Sequence, residues 1–232
     1  MKVTLFIGSL SIGGAERVTV NLANQLAENG HKVEVLVVTD GGELADELAP
    51  AVEQSVLPVD RMRWTAIPLT RHLYRTRPDV LISFMTAANV MAIVAARMAM
   101  VSTTVIATEH STQLGKRGMA FKRNMTLAKY TYRFADHVVA VSKGVSQDIR
   151  EWASVSNNKV VTIYNPVITE EQINATYEVP SHPWFQDDNV EVVLSVGRHD
   201  EEKDYPTLIR AFSLLLKERE NVRLMLVGGG GL

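Results

Sequence analysis

Six short runs rich in β-branched residues, at 3–7, 33–38, 80–84, 103–107, 138–141 and 160–163, alternate with stretches whose apolar residues recur at helical spacing. No other feature of the chain constrains its fold as strongly. A continuous apolar strand needs cover on both faces, and a helix between successive strands supplies that cover while letting the strands run parallel. The expected class is α/β, a Rossmann-like parallel sheet with helices on both faces. The first helix is the clearest, because Ala15, Val18, Leu22 and Leu26 share one face and Gly30 stands just past its end.

A second rhythm begins late. Residues 171–189 are polar and carry Pro180 and Pro183, and they read as a linker. A strand in "VEVVLSVGR", a helix in "YPTLIRAFSLLLKERE" with Pro206 in its first turn, and a strand in "VRLMLVG" then follow. The expected organisation is an N-terminal Rossmann-like domain over 1–170, the linker over 171–189, and the beginning of a second such domain over 190–232. Since "GGGGL" comes directly after a strand with no helix to cover it, that second domain is expected to be incomplete, and 1–232 alone to be inactive.

Composition narrows the chemistry. At 46% apolar and 22% charged residues, the 232-residue chain is globular, and the lack of cysteine removes disulfides, thiol nucleophiles and thiolate metal sites. The apolar stretch 87–96 falls well short of the ~20 residues that span a bilayer. The opening "MKVTLFIGSLSIGGA" has the charge and apolar look of a signal peptide. Ser9, Ser11 and the glycines interrupt it, however, and helical spacing starts at Ala15, so the expected location is cytoplasmic. Charge is unevenly spread. Between Arg61 and Arg133 twelve Lys/Arg face only Asp79 and Glu109, a local +10, while the rest of the chain holds twelve basic against 24 acidic residues. Such a segment suits an anionic partner. A helix within 111–135 would put Phe121, Met125, Ala128, Tyr132 and Ala135 on one face and Lys122, Thr126, Lys129 and Arg133 on another. That basic face, with Lys116, Arg117 and Arg123, is either a solvated surface or a rest for anionic lipid at the inner face of a membrane.

Three stretches carry candidate chemistry. In "SLSIGGAERVTV" the pair Gly13-Gly14 stands where a strand hands over to a helix, a place where backbone N–H groups and the helix dipole favour phosphate or carboxylate. The same glycines could simply serve a tight turn. In "ATEHST", Glu109 and His110 lie at the carboxyl end of a strand, where open α/β sheets bind ligands; His110 can bond a substrate oxygen, act as acid or base, or cap the next helix. In "SVGRHDEEKDYPTLIRAF", Arg198 and Lys203 can converge on a pyrophosphate, Arg as a planar fork and Lys as a point charge, or pair with Asp200, Glu201 and Glu202 at the surface. Asp-x-Asp, His-Glu-x-x-His and a phosphate-binding lysine loop are all absent from the sequence, so no metal and no cofactor is expected.

Taken together, "SLSIGGAERVTVNLANQLAENGHKVEVLV", "TEH", "ADHVVAVSKGVSQDI", "VVTIYNPV" and "LSVGRHDEEKDYPTLIRAFSLL" resemble, in order, the landmarks of the family 4 glycosyltransferases, which have the two-domain glycosyltransferase-B fold. The resemblance implies retaining, metal-independent transfer of a sugar from a nucleotide-diphosphate-sugar donor to a hydroxyl of a glycan or lipid-linked acceptor, with no role for nucleic acid. It further implies that Gly13 and Gly14 border the donor diphosphate, that His110 contacts the transferred sugar, and that Arg198 and Lys203 stabilise the leaving diphosphate. Glu16, Arg17 and Glu109 fall on the acceptor side. The family's later Glu-x7-Glu segment, which recognises sugar and ribose, is expected to lie beyond Leu232. A sugar-nucleotide epimerase of the same fold and a non-catalytic nucleotide-binding module are the alternatives.

Overall fold

The strand–helix alternation is realised in the structure, a computed structural model that describes residues 1–112, 119–166 and 180–230. Strands β1 (Lys2–Ile7), β2 (Lys32–Val37), β3 (Val52–Val56), β4 (Val80–Phe84), β5 (Thr104–Glu109), β6 (His137–Ala140) and β7 (Val160–Thr162) form one sheet, in the order β3-β2-β1-β4-β5-β6-β7. All neighbouring pairs in it are parallel. Among the described residues this unit has the helices α1 (Gly14–Glu28), α2 (Ala66–Thr76), α3 (Thr86–Ala99), α4 (Met119–Thr131) and α5 (Lys143–Trp152).

Period-2 alternation along the strands divides the core. Leu5, Ile7, Val33, Val35 and Val37 pack with Val18 and Ala23 of α1 on one face. Phe6, Leu36, Leu81, Val105, Ala107 and Val138 meet Leu69, Leu73, Ile93, Ala128 and Ile149, from α2 to α5, on the other. Among the described residues β3, VEQSV, is the strand that the apolar runs did not announce. It stands at the sheet edge, paired on one side only, and an edge strand needs no continuous apolar sequence.

Chain ends of the helices follow their sequence signals. Gly30 takes φ +79; its N–H donates to the carbonyl of Ala27, and that of His31 to Leu26, the paired bonds that close a helix on a left-handed glycine. At α5 the Ser142 hydroxyl accepts from the Val145 N–H at 3.2 Å. Among the described residues no helix is long and apolar enough to cross a membrane.

The chain separates into units Met1–Val167 and Ile168–Leu232. In the second, β8 (Glu191–Val196) and β9 (Val222–Val227) pair in parallel, with α6 (Tyr205–Leu215) between them. Asp204 caps α6 by accepting from the Thr207 N–H at 3.3 Å, and Pro206 sits in its first turn.

One buried carboxylate sits among the apolar side chains. Glu34 of β2, 6% exposed, accepts from the Thr4 hydroxyl at 3.1 Å and meets His72 of α2 at 2.9 Å. Burial alone would push its carboxyl up, but the hydrogen bonds from His72, Ser55 and Thr4 together with the charge of His72 outweigh that and leave it below the ordinary carboxylate value. A depressed folded pKa gives stability that is present above the unfolded value and lost as pH falls through the folded one. Melting curves from pH 7 down to about 3 are therefore expected to show an acid-dependent loss below the ordinary glutamate value of about 4.3. Glu34→Gln removes that part of the slope.

Candidate functional site

The strand order reverses between β1 and β4, so the loops leaving their carboxyl ends diverge and open a crevice there. Gly13 and Gly14 stand at the mouth of the β1 loop. Gly13 is extended, with φ −171 and ψ 161, a conformation any residue adopts, and a side chain added at Gly14 would meet nothing within 4 Å. Conformation therefore does not require glycine at either position. What the pair does is keep the N-terminus of α1 bare: no side chain caps it, and the carboxylate of Glu16 lies over Gly13. A negative group there is what the helix dipole attracts. Arg17 reaches the other way, into a two-pronged ion pair with Glu47 in which NH2 lies 2.9 Å from Oε1.

A residue missed by sequence reasoning holds this loop. Gly42 has φ +108, and a Cβ on it would lie 2.4 Å from the carbonyl carbon of Leu10 and 2.6 Å from the nitrogen of Ser11. Nearby, Leu44 N–H donates to Leu10 O at 2.9 Å, and Ile12 N–H to the Glu43 carboxylate at 3.2 Å. The double glycine at 41–42 was the available signal. Because the clash is with backbone, Gly42→Ala is expected to destabilise the protein by about 2 kcal/mol or more and to displace the β1 loop. A melting scan checks the first effect, and faster hydrogen exchange of the backbone N–H groups of the β1 loop the second.

His110 follows β5. Its ring packs against Phe84 with centroids 5.6 Å apart, and Nε2 lies 3.1 Å from the Thr108 hydroxyl. That hydroxyl spends its own hydrogen on the Ser83 carbonyl at 2.8 Å. Thr108 must then accept from His110, which assigns the ring proton to Nε2 and leaves Nδ1 as a lone-pair acceptor. Nδ1 is buried without a hydrogen-bond partner among the described residues. Burial pushes the imidazole down to about 4, so the ring is neutral at neutral pH. It lines an apolar cavity of about 240 Å³ shared with Val18, Leu22, Phe84, Val139, Val141 and Tyr164. A neutral acceptor in such a cavity suits a ligand hydroxyl.

Glu109, the adjacent residue, points elsewhere. It is 2% exposed, and its carboxylate accepts from Tyr132, from Thr86 at 3.1 Å and from Asn89 at 3.4 Å. Asn89 in turn accepts from Ser83 at 2.7 Å and donates to Tyr132 at 2.9 Å. Burial and the Glu109 charge push the Tyr132 hydroxyl up, so it remains a donor at any working pH. This satisfied network ties β4, α3, β5 and the segment after α4 together directly beneath the crevice.

In the second unit Arg198 is two-thirds exposed and pairs with Asp200 at 3.2 Å. The stem of Lys203 lies along Gly197, and the ammonium has no carboxylate partner among the described residues. The carboxyl ends of β8 and β9 meet closely: Gly228 has φ +145, and a Cβ there would fall 1.9 Å from the Gly197 carbonyl oxygen. Among the described residues no group of three His, Asp or Glu is arranged to hold a metal. The helix expected within 111–135 is α4, which ends at Thr131 and passes into a short turn over Tyr132–Phe134. Of its expected apolar face Ala128, Tyr132 and Ala135 are buried and Phe121 and Met125 half-buried, while Lys122, Thr126, Lys129 and Arg133 are exposed; Lys116 and Arg117 lie outside the described residues.

Fold and crevice define a Rossmann-like α/β protein whose sheet opens a crevice at its carboxyl edge. The sequence profile of Glycosyltransferase Family 4 matches residues 12–171, and the chain belongs to that family. A curated relative is the GalNAc-alpha-(1->4)-GalNAc-alpha-(1->3)-diNAcBac-PP-undecaprenol alpha-1,4-N-acetyl-D-galactosaminyltransferase of Campylobacter jejuni, 26% identical over 245 residues. That match covers 100% of this chain and 62% of the relative, so the chain spans about three fifths of the relative's length. Anabaena HepE, solved in complex with UDP and glucose, aligns over 100% of this chain and 62% of its own with a TM-score of 0.70 and 20% identity. The UDP-N-acetylglucosamine 2-epimerase of Rickettsia bellii aligns over 100% and 62% with a TM-score of 0.62 and 9% identity. The fold is thus common to proteins of more than one activity.

Proposed function

We propose that the gene product carrying this chain transfers a sugar from a nucleotide-diphosphate-sugar donor to a hydroxyl of a glycan or lipid-linked glycan acceptor, retaining the anomeric configuration and using no metal. The observation that carries the reading is the family match, which runs from the β1 loop through His110 and so spans the crevice residues themselves. Membership favours transfer over the epimerase chemistry that the fold alone would also admit.

The roles follow from the chemistry of each group. The donor diphosphate lies at the bare N-terminus of α1, taking the place that the Glu16 carboxylate occupies at Gly13. His110 accepts a hydrogen bond from a sugar hydroxyl at Nδ1 and orients the ring against its apolar cavity. Lys203, which has no carboxylate partner among the described residues, meets the charge that grows on the leaving diphosphate, and Arg198 exchanges Asp200 for the same group. Glu109 acts from beneath, holding the β5 end through Tyr132 and Asn89. Arg17 stands on the acceptor side, fixed by Glu47. With UDP-N-acetylgalactosamine as donor and an undecaprenyl-diphosphate oligosaccharide ending in N-acetylgalactosamine as acceptor, the acceptor gains one sugar in the presence of EDTA. Interconversion of the donor sugar without acceptor would instead establish the epimerase.

Membrane association at the inner face belongs to the same reading. Lys122, Lys129 and Arg133 present an exposed basic face on and after α4, and exposed Trp64, Ile67 and Tyr74 stand beside Arg63 and Arg71 around α2. Each basic residue near an anionic surface contributes about 1 kcal/mol. Co-sedimentation with vesicles is expected to require anionic lipid and to weaken with salt. Changing Lys122, Lys129 and Arg133 together to Gln lowers the partition by roughly one to two orders of magnitude.

A further inference from the structure

Four non-glycine residues among those described have positive φ. Arg77, Met100 and Asp204 are in the left-handed helical region at helix ends, with φ 44, 51 and 45. Met85 differs. At φ 77 and ψ 146 it occupies a region that is nearly reserved for glycine and is strained for any side chain. Its backbone is held on both sides: the N–H donates to Thr108 O at 3.1 Å, and the carbonyl accepts from Asn89 N at 2.9 Å to start α3. The position is fixed; only the side chain is optional.

That side chain is not claimed by the core. Met85 is 43% exposed and belongs to neither apolar cluster, so burial of its thioether does not offset the strain that glycine would relieve. It stands at the carboxyl end of β4, directly after Phe84, whose ring packs on His110. A large, flexible, apolar side chain, retained in a glycine conformation and left open beside the crevice, has a use only when something binds.

We infer that Met85 is a specificity residue whose thioether packs against the apolar C–H face of the acceptor's terminal sugar ring. The inference rests on the proposed transfer reaction. The donor diphosphate is met by backbone N–H groups and cations and the transferred sugar by His110 with its apolar cavity, whose lining does not include Met85; Met85 brings no strong polar atom and suits the remaining ring, that of the acceptor.

The test compares Met85→Gly and Met85→Ala in the gene product carrying this chain, with UDP-N-acetylgalactosamine and the undecaprenyl-diphosphate oligosaccharide above as probes. At an ordinary position the alanine variant is the more stable of the two. Here the order inverts, and the glycine variant melts a few degrees higher because it alone relieves the backbone. Both variants raise the acceptor KM about fivefold while the donor KM moves less than twofold. A glycine variant that melts no higher than the alanine one removes the strain and overturns the inference. Transfer with an unchanged acceptor KM in both variants overturns it too and leaves the proposed reaction standing. Absence of transfer by the unaltered protein with these probes and with other nucleotide-sugar donors overturns the proposed reaction and this inference with it.

Discussion

Replacing Lys203 by alanine is expected to lower the proposed transfer rate of the gene product by about two orders of magnitude, with acceptor KM nearly unchanged. The charge on a departing diphosphate grows towards the transition state, so a cation that meets it acts on kcat more than on binding. One preorganised donor of this kind contributes about 3 kcal/mol. Lys203 suits the role because its ammonium has no carboxylate partner among the described residues, while Arg198 must first give up Asp200 at 3.2 Å. Arg198→Lys is expected to be harmful as well, since the planar fork that meets two phosphate oxygens at once is lost. Steady-state kinetics on the two variants rank the effects. Wild-type rates in both would return these residues to the solvated surface.

The second large effect is at His110. His110→Ala is expected to reduce turnover by roughly tenfold to a hundredfold, the scale of losing one directed hydrogen bond to the reacting sugar. Its pH signature is more telling than its size. With the imidazole down at about 4, the ring stays neutral through the working range, so the rate profile has no inflection near the ordinary histidine value of about 6.5. A histidine depressed in the folded state gives stability that is complete above the unfolded value and is lost as pH falls from there through the folded one. Acidifying the protein from pH 7 to 4 therefore costs stability that the alanine variant does not lose. An inflection near neutrality in the rate, removed by His110→Ala, would instead make this residue a proton-transfer group.

Much of this fold is written locally. Continuous apolar runs such as KVEVLV and VLISF can only be strands covered on both faces, and the spacing of Ala15, Val18, Leu22 and Leu26 with Gly30 after them leaves one reading for α1. The strand β3 escaped because an edge strand with a polar outer face has no such run. Within the site, Gly13, Gly14 and His110 were visible because their types and positions at strand ends carry chemical meaning. Gly42 and Met85 were not, since what matters there is a dihedral angle and the backbone of a distant loop. Tyr132 was legible as an apolar face residue of the basic segment and is indeed buried. That its hydroxyl closes a network with Asn89 and Glu109 is a fact about residues 43 and 23 positions away, which no local pattern encodes.

The account turns on acceptor-dependent transfer without a metal, and release of nucleoside diphosphate measures it directly. With a nucleotide-sugar donor, excess EDTA and a lipid-linked oligosaccharide, the account predicts diphosphate release in step with the lengthened acceptor, and little release when the acceptor is left out. Donor consumed at the same rate with and without acceptor, or a reaction abolished by EDTA and restored by a divalent cation, would contradict it.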